Sequence, residues 1–164
     1  MKADFHNGGA CARSAFGDAH ALVAGAGTDN SEQSGPWVDR KGTDYGMVMS
    51  AKLVISFEAV LAQDATLSIA ANIQDATADD GTGADDFGSV LASAVVATGD
   101  TGGSTEQGTI ELDFDLAAAN RYVRSQITSD LSAANTDTAT VVATWVFFGA
   151  DRKPISKTLV SDNR

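Results

Sequence analysis

The stretch RYVRSQITSDLSAANTDTATVVATWVFFG, residues 121–149, contains two alternating segments joined by a polar loop. Side chains alternate along a strand, so the first segment places Val123, Ser125 and Ile127 on one face and polar side chains on the other. The second segment carries apolar residues on both faces. One of those faces consists of Ala139, Val141, Ala143, Trp145 and Phe147. The pattern predicts a half-exposed strand followed by a strand covered on both sides, and the Asn, Asp and Ser between them favour a turn.

The same period of two occurs upstream. In MVMSAKLVISFEAVL, residues 47–61, alternate positions are apolar from Met49 to Ala59, which predicts a long half-buried strand. ATLSIAANIQDA, residues 65–76, repeats the pattern after a turn at Gln63 and Asp64. The two segments together predict an antiparallel hairpin.

Two more segments complete the strand count. SVLASAVVATG, residues 89–99, predicts a weaker strand, and TIELDFDL, residues 109–116, alternates apolar and acidic side chains. The sequence GDTGGSTEQG between them predicts a flexible loop. About six or seven strands with almost no helical periodicity indicate an all-β fold, an antiparallel β-sandwich or jelly roll.

The pattern divides the chain into three parts. Residues 1–44 lack sustained periodicity and predict an extended N-terminal arm with short ordered pieces, anchored by isolated apolar contacts; a disordered terminus is the alternative. Residues 45–151 are predicted to form the β-sandwich, and residues 152–164 a short C-terminal tail.

Composition excludes several classes of protein. At 164 residues the chain suits one domain. Its net charge of −11 argues against nucleic acid as a direct partner, because phosphate binding needs clustered Lys and Arg. Cys11 is the single cysteine, which excludes an intrachain disulfide and a cysteine metal cluster. No segment predicts a membrane span or a secretory signal, so we expect a soluble protein made in the cytoplasm with no membrane partner.

Carboxylates are the candidate catalytic groups. Glu111, Asp113 and Asp115 lie two residues apart, a spacing compatible with an acid/base pair of the glycosidase kind. The solvent side of an amphipathic strand explains them more simply, with Arg121 and Arg124 pairing with Asp113 and Asp115 from a neighbouring strand. No catalytic motif is present, and we predict that the chain is not an enzyme and binds no cofactor.

A second acidic group lies in DATADDGTGADDFG, residues 75–88. Closely spaced acidic oxygens suit calcium, but the residue order does not match an EF-hand loop. An exposed turn is the favoured interpretation, and no metal site is predicted. The ligands of any opportunistic cation site would be Asp79, Asp80, Asp85 and Asp86.

Residues 45–151 resemble a known family. The segments MSAKLVISFEAVL, ATLSIAANIQDA with its Asp/Gly loop, ELDFDL, RYVRSQIT and TATVVATWVFFGAD are similar to the jelly-roll capsid cement (head decoration) proteins of tailed bacteriophages. The resemblance implies two four-stranded sheets and a homotrimer on the outer capsid surface of the virion. It also implies that the trimer bridges neighbouring capsomers, with the major capsid protein and further copies of itself as partners.

Capsid or subunit contacts are predicted at scattered apolar and basic residues: Phe5, Phe16, Leu22, Trp37, Tyr45, Arg152, Lys153 and Leu159.

The alternative function is that of a carbohydrate-binding sandwich on a phage appendage or a secreted protein. That function needs an exposed aromatic platform, for which Trp37, Tyr45 and Tyr122 are the candidates. An enzyme using Asp113 and Asp115, or the acidic loop, is a third hypothesis. A major capsid or tail-tube subunit is disfavoured because no long helix is predicted.

Overall fold

A computed structural model describes residue 9 and residues 11–42, 46–88, 91–132 and 136–150. This part of the chain contains no α-helix. Its strands, in chain order, are β1 (Arg13–Val23), β2 (Ser31–Ser34), β3 (Val38–Asp39), β4 (Lys41–Gly42), β5 (Gly46–Met47), β6 (Ser50–Leu61), β7 (Thr66–Ala76), β8 (Asp85–Asp86), β9 (Leu91–Thr98), β10 (Ser104–Asp115), β11 (Tyr122–Leu131) and β12 (Thr138–Phe148).

The strands form two principal sheets in which every pairing is antiparallel. The first sheet has the order β1-β12-β6-β10. In the second sheet β11 and β7 lie in the middle; β2 and β3 both pair with β11, and β8 and β9 both pair with β7. Each sheet is therefore four strand positions wide. The predicted all-β sandwich fold is confirmed.

The strand order is that of a jelly roll. The chain doubles back on itself, so that β1 pairs with β12, β2 and β3 with β11, β6 with β10, and β7 with β9. Rolling up this long double strand brings β12 beside β6 and β11 beside β7, which completes both sheets.

The core fills the space between the two sheets. Trp145 is fully buried, stacks on Phe147 with ring centroids 5.6 Å apart, and contacts Phe114 at 5.9 Å. Leu53 and Ile55 of the first sheet and the apolar side of β7 belong to the same buried cluster. Each such side chain stabilises the fold by about 1.5–3 kcal/mol through the apolar area it removes from water.

The predicted hairpin of residues 47–76 is wrong, because β6 and β7 lie in different sheets. At the turn, Asp64 has a positive φ of 62° and its N–H donates to the carbonyl of Gly99. Gly99 in turn donates to Ala65. The turn is thus bonded to the segment after β9, and the apolar sides of β6 and β7 meet across the core instead of lying side by side.

The predicted arm boundary at residue 44 is wrong for residues 13–42. β1 runs along the whole of β12, from Arg13 opposite Phe147 to Val23 opposite Thr138. β2 and β3 extend the second sheet. A bulge between Phe16 and Asp18 reverses the alternation within β1, which hides its period of two in the sequence. Residues 1–8 and the predicted tail, 152–164, lie outside the described residues.

Two smaller predictions also fail. β10 begins at Ser104, so the second half of the predicted loop at residues 99–108 is strand. β12 is covered on one side only: Thr140 and Val142 on its other side are exposed. The apolar residues on that second side therefore belong to the surface of the molecule.

Arg40 anchors the chain between β3 and β4. It is 2% exposed, and its guanidinium donates to the carbonyls of Asn120 at 2.9 Å, Val48 and Leu116 at 2.8 Å, and also to that of Ala119. Burial lowers the pKa of Arg40, and the charges of Asp75 and Asp39 act against that shift. One buried cation thereby ties the segment before β6 to the loop between β10 and β11.

Candidate interaction surfaces

The acidic row on β10 is an exposed and partly neutralised strand face. Lys52 of β6 lies 2.9 Å from carboxylate oxygens of both Glu111 and Asp113, and these hydrogen bonds raise its pKa. The carboxylate side chains are 57% and 79% exposed. This geometry is that of a solvated amphipathic strand, as the sequence predicts.

The arginine partners predicted for that row are wrong, because β10 and β11 lie in different sheets. Arg121 instead pairs with Asp39 at 2.6 Å, and Arg124 donates to the side-chain oxygen of Gln74 at 2.6 Å. Burial acts to raise the pKa of Asp39, but hydrogen bonds from Arg121 and from the N–H of Lys41 outweigh it and lower that pKa.

The acidic loop is a bonded turn. Asp80 accepts a hydrogen bond from the N–H of Thr82, and Asp86 accepts from Asn72 at 2.8 Å and Gln74 at 3.0 Å. These hydrogen bonds from side-chain amides lower the pKa of Asp86, and the bond from Gln74 has the larger effect. Across the described residues, no group of three or more His, Cys, Asp or Glu side chains could hold a metal ion.

Sequence reasoning missed a Ser-His-Asp arrangement between the sheets. Nδ1 of His20 lies 2.6 Å from Asp18, and Nε2 lies 3.2 Å from the hydroxyl of Ser129 on β11. The distances match a catalytic triad, but Ser129 is fully buried in the sandwich, where no substrate carbonyl reaches its oxygen. In this structure the three groups act as a polar link between β1 and β11. The sequence signal was Asp18 and His20 two residues apart; nothing local pointed to Ser129.

A polar ladder crosses β2, β11, β7 and β8 on the outer side of the second sheet. Gln126 donates to Glu32 at 2.6 Å and accepts from Asn72 at 3.2 Å. Asn72 and Gln74 both donate to Asp86, and Gln74 also accepts from Arg124. The polar ladder is the set Glu32, Asn72, Gln74, Asp86, Arg124 and Gln126. Its groups bond to one another, which produces a well-ordered hydrophilic surface.

The aromatic candidates for sugar binding are engaged by arginines. The guanidinium of Arg124 lies over the Trp37 ring, 4.5 Å from its centroid, and that of Arg121 lies 5.1 Å from the Tyr122 ring. Tyr45 lies outside the described residues. A sugar ring stacks on an open aromatic face, so the contact of Arg124 with Trp37 argues against a ready carbohydrate platform.

The outer side of the first sheet has a different character over β1 and β12. The strand register places small, apolar or hydroxyl side chains there, and none is charged. We call this surface the neutral face; it consists of Ser14, Phe16, Ala19, Ala21, Val23, Thr138, Thr140, Val142, Thr144, Val146 and Phe148.

Of the six large apolar residues that are exposed in the described chain, four lie on the outer side of the first sheet; the others are Met49 and, on β9 of the second sheet, Val95. Phe16 is 47% exposed, Val23 49% and Val142 39%, and Val60 of the adjoining β6 is 49% exposed. The charged residues of this sheet's outer side lie on β6 and β10. The two outer faces of the sandwich thus differ: one carries a hydrogen-bonded polar ladder, with Val95 exposed on β9, and the other has an uncharged half on which Phe16, Val23 and Val142 are exposed.

The predicted contact residues are placed unevenly. Phe16 lies on the neutral face, and Trp37 is half-buried beside the polar ladder. Leu22 is 2% exposed within the core, so its assignment to an interface is wrong: the bulge at Gly17 turns it inward. Phe5, Tyr45, Arg152, Lys153 and Leu159 lie outside the described residues.

Comparison with known proteins gives structural likenesses only. No family model matches the chain, and no curated protein matches it significantly. Among solved structures, the infectious bursal disease virus VP2 subviral particle matches 85% of this chain at 10% identity, with a TM-score of 0.43. The Gx strain of the same virus matches 79% at 12% identity, with a TM-score of 0.31.

This chain spans about a third of the length of those two viral chains, 33% and 31% respectively. Both TM-scores lie below 0.5, and the jelly-roll fold of this chain is defined by its own strand order. A search for membrane-crossing helices in the described segments finds none of sufficient length and apolarity.

Proposed function

We propose that this chain is a virion structural protein that binds the outer surface of a phage capsid as a homotrimer. In that position it cements neighbouring capsomers of the major capsid protein. The proposal follows the resemblance of residues 45–151 to phage cement proteins, and it assigns the chain no catalytic role.

The observation that carries the proposal is the difference between the two outer faces. A cement protein works by lying between neighbours, so it needs one surface that excludes water against protein and another that stays hydrated. Exposed apolar patches of this kind mark protein contact sites. The neutral face has the composition for the first task, and the polar ladder has the composition for the second.

The charge of the chain supports the same function. A net charge of −11 keeps a protein that is made in many copies soluble before assembly. Repetition over a lattice then converts modest contacts into firm attachment, because each further contact is made at a high effective concentration.

Co-sedimentation tests the proposal. Empty shells of the phage whose genome encodes this chain are mixed with the purified protein and centrifuged through a sucrose cushion. We expect the chain to pellet with expanded shells at a fixed ratio to the major capsid protein, and to remain in the supernatant without shells. A chain that stays in the supernatant at all shell concentrations contradicts the proposal.

A further inference from the structure

We infer that the neutral face is the surface through which copies of this chain bind one another. The inference rests on the trimer of the proposed function and names the surface that forms it. The partner of the neutral face is then a second copy of this chain and not the shell.

The absence of charge on the neutral face favours a second copy of this chain as its partner. Two copies that each carry a net charge of −11 repel one another, so they approach most easily through surfaces without carboxylates. The neutral face has none among its eleven side chains. Lys52 and Glu58 of β6 border the face, Glu58 opposite Thr140 and about 5 Å away, and their opposite charges sum to zero. The carboxylates of β10 lie two strand positions from β12, roughly 10 Å away, which is about the Debye length at physiological salt. Repulsion from that row is therefore largely screened at the contact.

The area is sufficient for a specific contact. The neutral face and the adjoining outward side of β6, which includes Lys52 and Glu58, together cover a patch of roughly 37 by 14 Å, from the rise per residue and the spacing of strands. Burying such a patch against an equal area of the next copy removes about 1,000 Å² from water, the lower bound for specific interfaces. In a closed trimer each copy makes two contacts through two different surfaces, so the neutral face of one copy packs on another surface of the next.

The side chains suit packing of one sheet on another. Ala19, Ala21, Thr140 and Thr144 are short and leave a flat surface, from which Phe16 projects. Packed sheets approach to about 10 Å when the facing side chains are of this size.

Pairing through a free edge of the sheet is a poorer route to the oligomer. The sheet has two edge strands, β1 and β10. The bulge between Phe16 and Asp18 interrupts the hydrogen-bonding ladder of β1, and the exposed Glu111, Asp113 and Asp115 give the β10 edge a row of like charges. Bulges of this kind prevent an edge from templating a further strand. Contact through the face needs no unpaired backbone groups.

A matched pair of charge insertions tests the inference. Val142→Glu places a carboxylate in the neutral face, and Val95→Glu places one on β9 of the other sheet, where Val95 is 59% exposed. Both variants change the net charge equally and replace an exposed strand valine. Sedimentation velocity at several concentrations measures their assembly, and far-UV circular dichroism with thermal unfolding verifies that both are folded.

We expect the wild-type chain and V95E to form the same oligomer. V142E should dissociate with a constant at least about 10-fold larger, because its carboxylate is buried without a partner in the contact. A monomeric wild-type chain overturns the inference, and so does a folded V142E that assembles as the wild type does.

Shell binding separates this inference from the proposed function. An oligomer that V142E disrupts but that binds no shell leaves the inference standing and removes the cement function. A wild-type monomer that binds shells, and loses that binding in V142E, assigns the neutral face to the shell and overturns the inference.

Discussion

A single charged side chain, Arg40, holds two distant loops of this sandwich. Its guanidinium faces backbone carbonyls of Val48, Leu116, Ala119 and Asn120 and is almost wholly removed from water. Carbonyls that lose such a donor remain buried without a partner, which costs about 1–3 kcal/mol for each group left unsatisfied.

Replacing Arg40 by methionine therefore lowers the free energy of unfolding by about 2–4 kcal/mol. Arg121→Met is the control, because Arg121 makes an ion pair at the surface with its side chain 45% exposed. That variant costs much less, because water solvates both partners of an exposed ion pair. Urea unfolding followed by tryptophan fluorescence measures both, and equal losses in the two variants contradict the role given to Arg40.

The partner of Arg121 predicts a pH dependence. The pKa of Asp39 is lowered in the folded chain, so the unfolded chain takes up the proton first as the pH falls. The stabilisation is complete above the unfolded pKa of about 3.9 and is lost as the pH falls through the lower folded value. We expect wild type to exceed Asp39→Asn in stability by up to about 1 kcal/mol at pH 7. Thermal unfolding from pH 7 to 2 should show the difference disappearing below pH about 4; a constant difference contradicts the assignment.

At the scale of strands, the sheets touch at a pair of glycines. A Cβ built on Gly35, between β2 and β3, would lie 1.7 Å from the carbonyl oxygen of Gly17 in β1. Ser125 of β11 donates to that same oxygen at 3.2 Å. The bulge in β1 and the break between β2 and β3 are therefore two parts of one contact that closes this side of the sandwich.

Gly35→Ala forces these backbones apart and lowers the free energy of unfolding by more than about 2 kcal/mol. The control is Gly27→Ala, where the added methyl meets nothing within 4 Å and the cost is the positive φ of 65°, about 1–2 kcal/mol. Chemical denaturation of both variants measures the difference. A Gly35→Ala variant that is no less stable than Gly27→Ala contradicts the close contact.

Strands with an uninterrupted period of two could be predicted from the sequence, and others could not. β6, β7 and β11 alternate apolar and polar side chains, so the sequence predicts their buried sides correctly; in β12 both sides are apolar, and the sequence does not show which of them is buried. β1 was missed because its bulge changes the phase of the alternation. The pairing of β6 cannot be predicted locally. The sequence of a short turn does not show whether the next strand pairs within the same sheet or joins the other sheet. Backbone hydrogen bonds of Asp64 and Gly99 hold the turn in the crossing arrangement, and they join residues that are far apart in the sequence.

At the scale of the whole molecule, the neutral face escaped prediction for a related reason. Its residues come from β1 and β12, which are more than a hundred residues apart, and neither strand alone is unusual in composition. Only the jelly-roll order places them side by side. The sequence predicts Phe16 as an isolated contact residue, and it predicts that the neighbouring residues of β12 are buried in the sandwich.

Cryo-electron microscopy of shells assembled with and without this chain tests the central claim most directly. The claim is that a two-faced jelly roll assembles with itself and reinforces a capsid from outside. We predict additional trimeric density on the outer surface between capsomers, with the neutral face buried between copies and the polar ladder in contact with solvent. Identical maps with and without the chain, or density confined to the inside of the shell, would contradict it.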